Sequence, residues 1–121
     1  MDKCKTERRS LAEEFQTLQS FFVALGDENR QQIFITLLGH EAVGMRVPEI
    51  TSRTHLSRPA VSHHQRILRE AGLIDVHHVG TMNYYYVSAG VDKWAHIKQL
   101  VDHVCQVAQE AAQSHYPHFD D

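Results

Sequence analysis

The sequence is short of cysteine, proline and net positive charge, and it has no long apolar run. Its two cysteines, Cys4 and Cys105, lie far apart and form neither a disulfide framework nor a paired thiolate motif, so a reducing cytoplasm is the expected setting. No apolar stretch approaches the roughly 18–20 residues that cross a bilayer, and the polar segment from Met1 to Glu14 lacks the apolar centre of a signal peptide. Neither a membrane role nor secretion is therefore expected. The three prolines and six glycines fall singly or in short turns, with no repeat and no low-complexity linker. At 121 residues the chain fits a single domain, 1–121, too small for an enzyme with a cleft between two domains. A formal charge of −3 does not exclude a polyanion partner, because only one face has to be positive. From Arg46 to Arg69 five arginines stand against one acid, Glu49.

Apolar spacing supplies the rest of the outline. Leu11, Phe15, Leu18, Phe22 and Leu25 recur at steps of three and four, predicting one helix over 10–25 that Gly26 closes. Asp27 is placed to cap a second helix burying Ile33, Phe34, Leu37 and Leu38, with Gly39 or Gly44 in the turn that follows. Pro48 suits a first helical position, giving a short third helix to about Arg53. Ser57 is a good cap for a fourth helix that tolerates Pro59 in its first turn and stops at Ala71-Gly72. Leu73, Ile74, Val76 and Val79, then Gly80 to Asn83, then Tyr84, Tyr85, Tyr86 and Val87 predict a two-stranded hairpin. A last helix over 91–113 carries Trp94, Ile97, Val101, Val104, Ala108 and Ala111 as a narrow apolar seam, more than so small a chain can cover alone. A two-fold dimer through helices 10–25 and 91–113 is expected.

A short helix, a tight turn and a capped helix describe a helix-turn-helix, and a hairpin directly behind it is a wing. The fold class expected is mainly α, a winged helix-turn-helix with a two-stranded β-hairpin wing and N- and C-terminal dimerisation helices. The helix over 57–71 is the candidate DNA reader. Its N-terminus directs free N–H groups toward phosphate, and side chains of its first two turns can enter the major groove. Arg58 is the candidate for a bidentate contact to guanine, Ser57 and Pro59 shape the helix start, and Ser62 and His63 can donate or accept at base edges. Arg66 and Arg69, further along, are candidate phosphate anchors. The plainer alternative is that these arginines only solvate an amphipathic helix. His64, on the inner side of the same helix, reads as a satisfied buried histidine.

Phe21-Phe22-Val23-Ala24-Leu25-Gly26-Asp27-Glu28-Asn29-Arg30-Gln31-Gln32-Ile33 resembles the opening signature of the ArsR/SmtB family of prokaryotic winged-helix repressors. Leu56 through Leu73 resembles the recognition-helix signature of that family, and Tyr84-Tyr85-Tyr86 falls where its wing returns. The likeness covers about residues 18–105. It implies a dimer on double-stranded DNA with a two-fold symmetric operator, repression relieved by a signal, and base reading at Arg58, Pro59, Ser62 and His63. Two departures stand out: Gln65 occupies a position usually held by a core leucine, and the wing tip from His77 to Asn83 has no Arg or Lys, so its grip on DNA would be weak or would depend on histidine protonation.

Ten histidines invite a metal reading, but a site needs three or four converging donors. The stretch matching the family's thiolate site, Met45 to Ile50, has no cysteine. At the site resembling the one on the family's last helix, Asp92 matches but Trp94 and Ala108 replace ligands, and Cys105 takes a third position. A shifted set of Asp102, His103, His115 and His118 is interrupted by Pro117. No metal site and no cofactor are therefore expected. The resemblance brings Cys4 and Cys105 within reach of each other as a thiol pair, although a cysteine on the seam is more often a small core hydrophobe. The inducer is left open among a small molecule, a metal, an oxidant or none.

Catalysis is not expected: Ser62 and His63 are adjacent on one helix and do not face each other. The function expected is a sequence-specific, double-stranded-DNA-binding transcriptional repressor, a cytoplasmic homodimer. The rival is a winged-helix module that binds protein and has little or no affinity for DNA.

Overall fold

A computed structural model describes residues 3–41, 43–88 and 91–115. Six helices and one hairpin follow in the order α1 (Lys3–Thr17), α2 (Gln19–Leu25), α3 (Glu28–Leu38), α4 (Val47–Ser52), α5 (Arg58–Glu70), β1 (Ile74–Val79), β2 (Met82–Val87) and α6 (Val91–His115). The chain forms two compact units. One contains α1 and nearly all of α6, and the other spans Ser20–Val91.

The single helix expected over 10–25 is two helices, and the first begins at Lys3. At the break, the Thr17 hydroxyl donates to the Glu13 carbonyl at 3.0 Å, and the Leu18 N–H is shared between the Glu14 and Phe15 carbonyls. Back-bonding and a shared donor of this kind bend or end a helix. In the first unit, His103 Nδ1 of α6 lies 2.9 Å from Glu14 Oε2 of α1. Leu18 and Leu100 are buried, whereas Phe15, Val101 and Val104 are exposed on the single chain. Cys105 is exposed on the single chain as well. Among the described residues, no helix is long and apolar enough to cross a membrane.

The second unit is built on one core of Phe21, Ile33, Phe34, Leu37, Met45, Ile50, Val61, Leu68, Leu73, Ile74 and Tyr85. The Asp27 carboxylate caps α3 by accepting from the Arg30 N–H at 3.0 Å. That hydrogen bond, outweighing the effect of burial, lowers the Asp27 pKa from its ordinary value. Leu38, expected inside, is 61% exposed, because Ile33, Phe34 and Leu37 already fill the inner face of α3. The strands pair antiparallel from Ile74 opposite Val87 to Val79 opposite Met82, around Gly80-Thr81. Met45 adds a bridge to Tyr85 on the far side of β2, with both N–H···O distances at 2.8 Å. Sequence patterning gave no sign of this bridge, which ties the hairpin to the loop before α4.

Candidate nucleic-acid interface

Both ends of α5 are fixed by local chemistry. At its start the Ser57 hydroxyl accepts from the Ala60 N–H at 3.3 Å, and Pro59 sits in the first turn, where no intrahelical donor is required. At its end Gly72 adopts φ +82°. Its N–H reaches the Arg69 carbonyl at 3.0 Å, and the Leu73 N–H reaches the Leu68 carbonyl at 2.9 Å. These two bonds make a Schellman motif, and its apolar partners Leu68 and Leu73 are fully buried. The motif turns the chain from α5 directly into β1.

α5 buries Val61, Gln65 and Leu68. Pro59, Ser62, His63 and Arg66 lie at i, i+3, i+4 and i+7, one stripe away from that buried face, and Arg69 continues it. Pro59, His63, Arg66 and Arg69 are exposed and Ser62 is half-buried. Ser57 and Arg58 are exposed at the helix start, and Arg58 makes no hydrogen bond or ion pair among the described residues. The seven residues read from the sequence as the DNA-contacting set thus lie on one helix and its cap, with cationic heads free to reach outward.

The Gln65 departure has a structural cost. The side chain is 9% exposed, and its Oε1 has no hydrogen-bond partner among the described residues. A buried acceptor left unmet costs about 1–3 kcal/mol, whereas an apolar side chain of similar size carries no such cost. Gln65→Leu is expected to stabilise the protein by about that amount, read as a higher denaturant midpoint at unchanged slope. An unchanged or lower midpoint would mean that the amide is satisfied.

The hairpin behind α5 presents His77, His78, Val79, Thr81, Met82 and Asn83 to solvent. His78 Nδ1 lies 2.6 Å from Asn83 Oδ1, and the His77 ring stacks on Tyr86 with centroids 4.4 Å apart. Instead of cations, the tip carries an exposed apolar pair, Val79 and Met82.

Among the described residues no three His, Cys, Asp or Glu side chains are grouped to hold a metal ion. His103 of the shifted ligand set is engaged by Glu14. His118 lies outside the described residues, as do the side chains of His115 and Cys4, so the His115–His118 spacing and the Cys4–Cys105 pairing are not visible here. Sequence reasoning also missed the partner of His64: Arg30 of α3 reaches across to it. An arginine three residues after the cap Asp27 would be expected to pair with that carboxylate, and no local pattern announces a ring 34 positions away.

A short proline-led helix, a tight turn, a capped second helix and an antiparallel hairpin returning behind it define a winged helix-turn-helix. The family described as bacterial regulatory protein, arsR family, matches residues 28–76. An uncharacterized HTH-type transcriptional regulator of Methanocaldococcus jannaschii is 33% identical over 90 residues, covering 74% of this chain and 97% of that protein. The transcriptional repressor SdpR of Bacillus subtilis is 31% identical over 74 residues, covering 61% of this chain and 79% of that one. Among solved structures, reduced HlyU from Vibrio cholerae superposes with a TM-score of 0.57 at 30% identity, covering 74% and 90% of the two chains. The chain belongs to the arsR family of bacterial regulatory proteins.

Proposed function

We propose that this protein is a sequence-specific, double-stranded-DNA-binding transcriptional repressor that works in the cytoplasm as a homodimer on a two-fold symmetric operator. The observation that carries the reading is the α5 stripe of Pro59, Ser62, His63 and Arg66, held outward by a helix whose opposite face is buried and whose two ends are capped. Arg58 reads guanine O6 and N7, and Ser62 and His63 read neighbouring base edges. Arg66 and Arg69 neutralise phosphates. The exposed apolar side chains Phe15 on α1 and Val101 and Val104 on α6 support pairing with a second copy. Such pairing would place two reading helices about 34 Å apart on successive turns of the duplex. The name of one relative, the transcriptional repressor SdpR, supports negative control, and release by a signal is what the family resemblance implies. The role assigned is binding, without a chemical step.

Selection of bound sequences from random duplex DNA tests this reading, followed by a salt titration on the recovered duplex. The expected product is a palindromic site. If Arg66 and Arg69 of each protomer hold one phosphate apiece, log K falls against log salt with a slope of about −3.6. A chain that enriches no duplex, or binds with no salt dependence, is instead a protein-binding module of the same fold, for which the apolar wing tip would be the natural contact.

A further inference from the structure

Arg30 joins three helices of the second unit. Its Nε donates to the Ala24 carbonyl at 2.6 Å and its Nη2 to the Val23 carbonyl at 3.3 Å, which also accepts from the Gly26 N–H at 3.2 Å, so the guanidinium covers the C-terminal carbonyls of α2. Its Nη1 lies 3.4 Å from Nδ1 of His64 on α5 and 4.0 Å from Asp27 Oδ2. The arginine side chain is only 12% exposed. A guanidinium offers donors alone and keeps its charge at any physiological pH, so the ring nitrogen facing it must present a lone pair. His64 is thus neutral in this arrangement, with its proton on Nε2. A protonated ring would set N–H against N–H and cation beside cation.

We propose that His64 is a positioning residue for the DNA-reading helix: its Nδ1 lone pair, held by Arg30, fixes the roll of α5 against the α2–α3 corner, and protonation of the ring releases that hold. The proposal rests on the DNA-binding reading above. It concerns a residue on the inner side of α5, away from the stripe assigned to DNA.

The charged groups around the ring are few. Burial disfavours the imidazolium most, Asp27 at the N-cap of α3 favours it, and Arg30 of α3 and His63 of α5 disfavour it, so the His64 pKa is lowered from its ordinary value. α2 contributes only backbone carbonyls to the cluster. A histidine with a lowered folded-state pKa contributes its full stability above the ordinary value of about 6.5. That contribution declines as pH falls from there through the folded-state value. Sequence preference should follow the same course.

Two measurements test this together. Nitrogen-15 NMR of the histidine side chains at pH 7.5 should show His64 with Nδ1 bare and Nε2 protonated, titrating below the ordinary histidine value of about 6.5. In parallel, affinity for the duplex recovered by selection is compared with affinity for a scrambled duplex, at pH 7.5 and at a pH below the His64 midpoint that the NMR titration gives. The wild-type ratio should fall about tenfold on acidification, as expected from losing one hydrogen bond to a charged group. His64→Gln keeps an acceptor that does not titrate and should hold its ratio across that range, leaving only changes due to the other histidines. His64→Phe, with a ring but no acceptor, should show the lowered ratio at both pH values. A proton on Nδ1 at pH 7.5, or matching pH profiles for wild type and His64→Gln, would overturn the proposal. If no duplex is recovered, the DNA-binding reading fails and the positioning role falls with it; the NMR result then still shows whether the Arg30 contact exists.

Discussion

Arg58→Ala is expected to lower affinity for the selected operator by about 1–3 kcal/mol, roughly 5- to 150-fold, and to relax preference at the contacted base pair. Arg58 is exposed at the first position of α5 and is not used by the fold among the described residues. A cation there also opposes the positive end of the helix dipole, so its presence is slightly unfavourable to the isolated protein. Removing it should therefore leave the unfolding midpoint unchanged or raise it slightly while operator binding weakens. That opposition separates a reading residue from a structural one. Binding to scrambled duplex should change far less, since the phosphate contacts proposed for Arg66 and Arg69 do not depend on sequence. Unchanged operator affinity in quantitative binding assays would remove Arg58 from the reading set and leave His63 and Ser62 to carry it.

The second large effect concerns the fold. Gly44 has φ +95°, and a Cβ built on it would stand 2.8 Å from the Tyr85 carbonyl oxygen, with the Tyr85 and Tyr84 carbonyl carbons at 3.1 and 3.2 Å. All three neighbours are backbone atoms, so no side-chain movement relieves the contact. An L-residue in that region of backbone space already costs about 1–2 kcal/mol. The displaced oxygen is the acceptor of the Met45 N–H bond, one half of the bridge that holds the hairpin to the loop before α4. Gly44→Ala should destabilise the protein by about 2–4 kcal/mol, adding the conformational cost to loss of a buried backbone hydrogen bond. Denaturant unfolding gives the total, and faster hydrogen exchange at the Met45 and Tyr85 amides would locate it. A loss below about 0.5 kcal/mol, the level of an ordinary surface change, would show that the loop shifts freely and that the bridge contributes little.

How much of this was legible depended on the range of the interaction involved. The ends of α5 were readable because Ser57, Pro59 and Ala71-Gly72 act within a few residues of themselves, and the observed helix agrees with that reading. The hairpin was readable for the same reason, from the Gly80-Thr81 turn between β-branched and aromatic runs. The break at Leu18 was not, because Leu11, Phe15, Leu18 and Phe22 keep helical spacing across it, and periodicity cannot register a change in carbonyl partners. The burial of Leu38 was misjudged because apolar spacing does not say how wide a face the neighbouring core requires. The Arg30–His64 contact and the Met45–Tyr85 bridge join residues distant in sequence, and only the folded arrangement exhibits them. For the interface itself, residue type and helical spacing located the cationic stripe, while the orphaned Gln65 oxygen and the missing cations of the wing tip mark where this chain departs from the family pattern.

At the far end of the hairpin little besides the turn itself constrains the side chains. A Cβ at Gly80 would meet no atom within 4 Å, and the residues on either side of the turn are exposed. Gly80 itself is fixed by the turn, where it holds φ +62°, but the exposed side chains of Val79 and Thr81 beside it take little part in folding, so their identity is open to whatever they meet outside the protein. Reach beyond α5 is thereby a property that inheritance can adjust separately: a lineage could gain or lose a grip there by exchanging one or two residues, while α5 stays as it is.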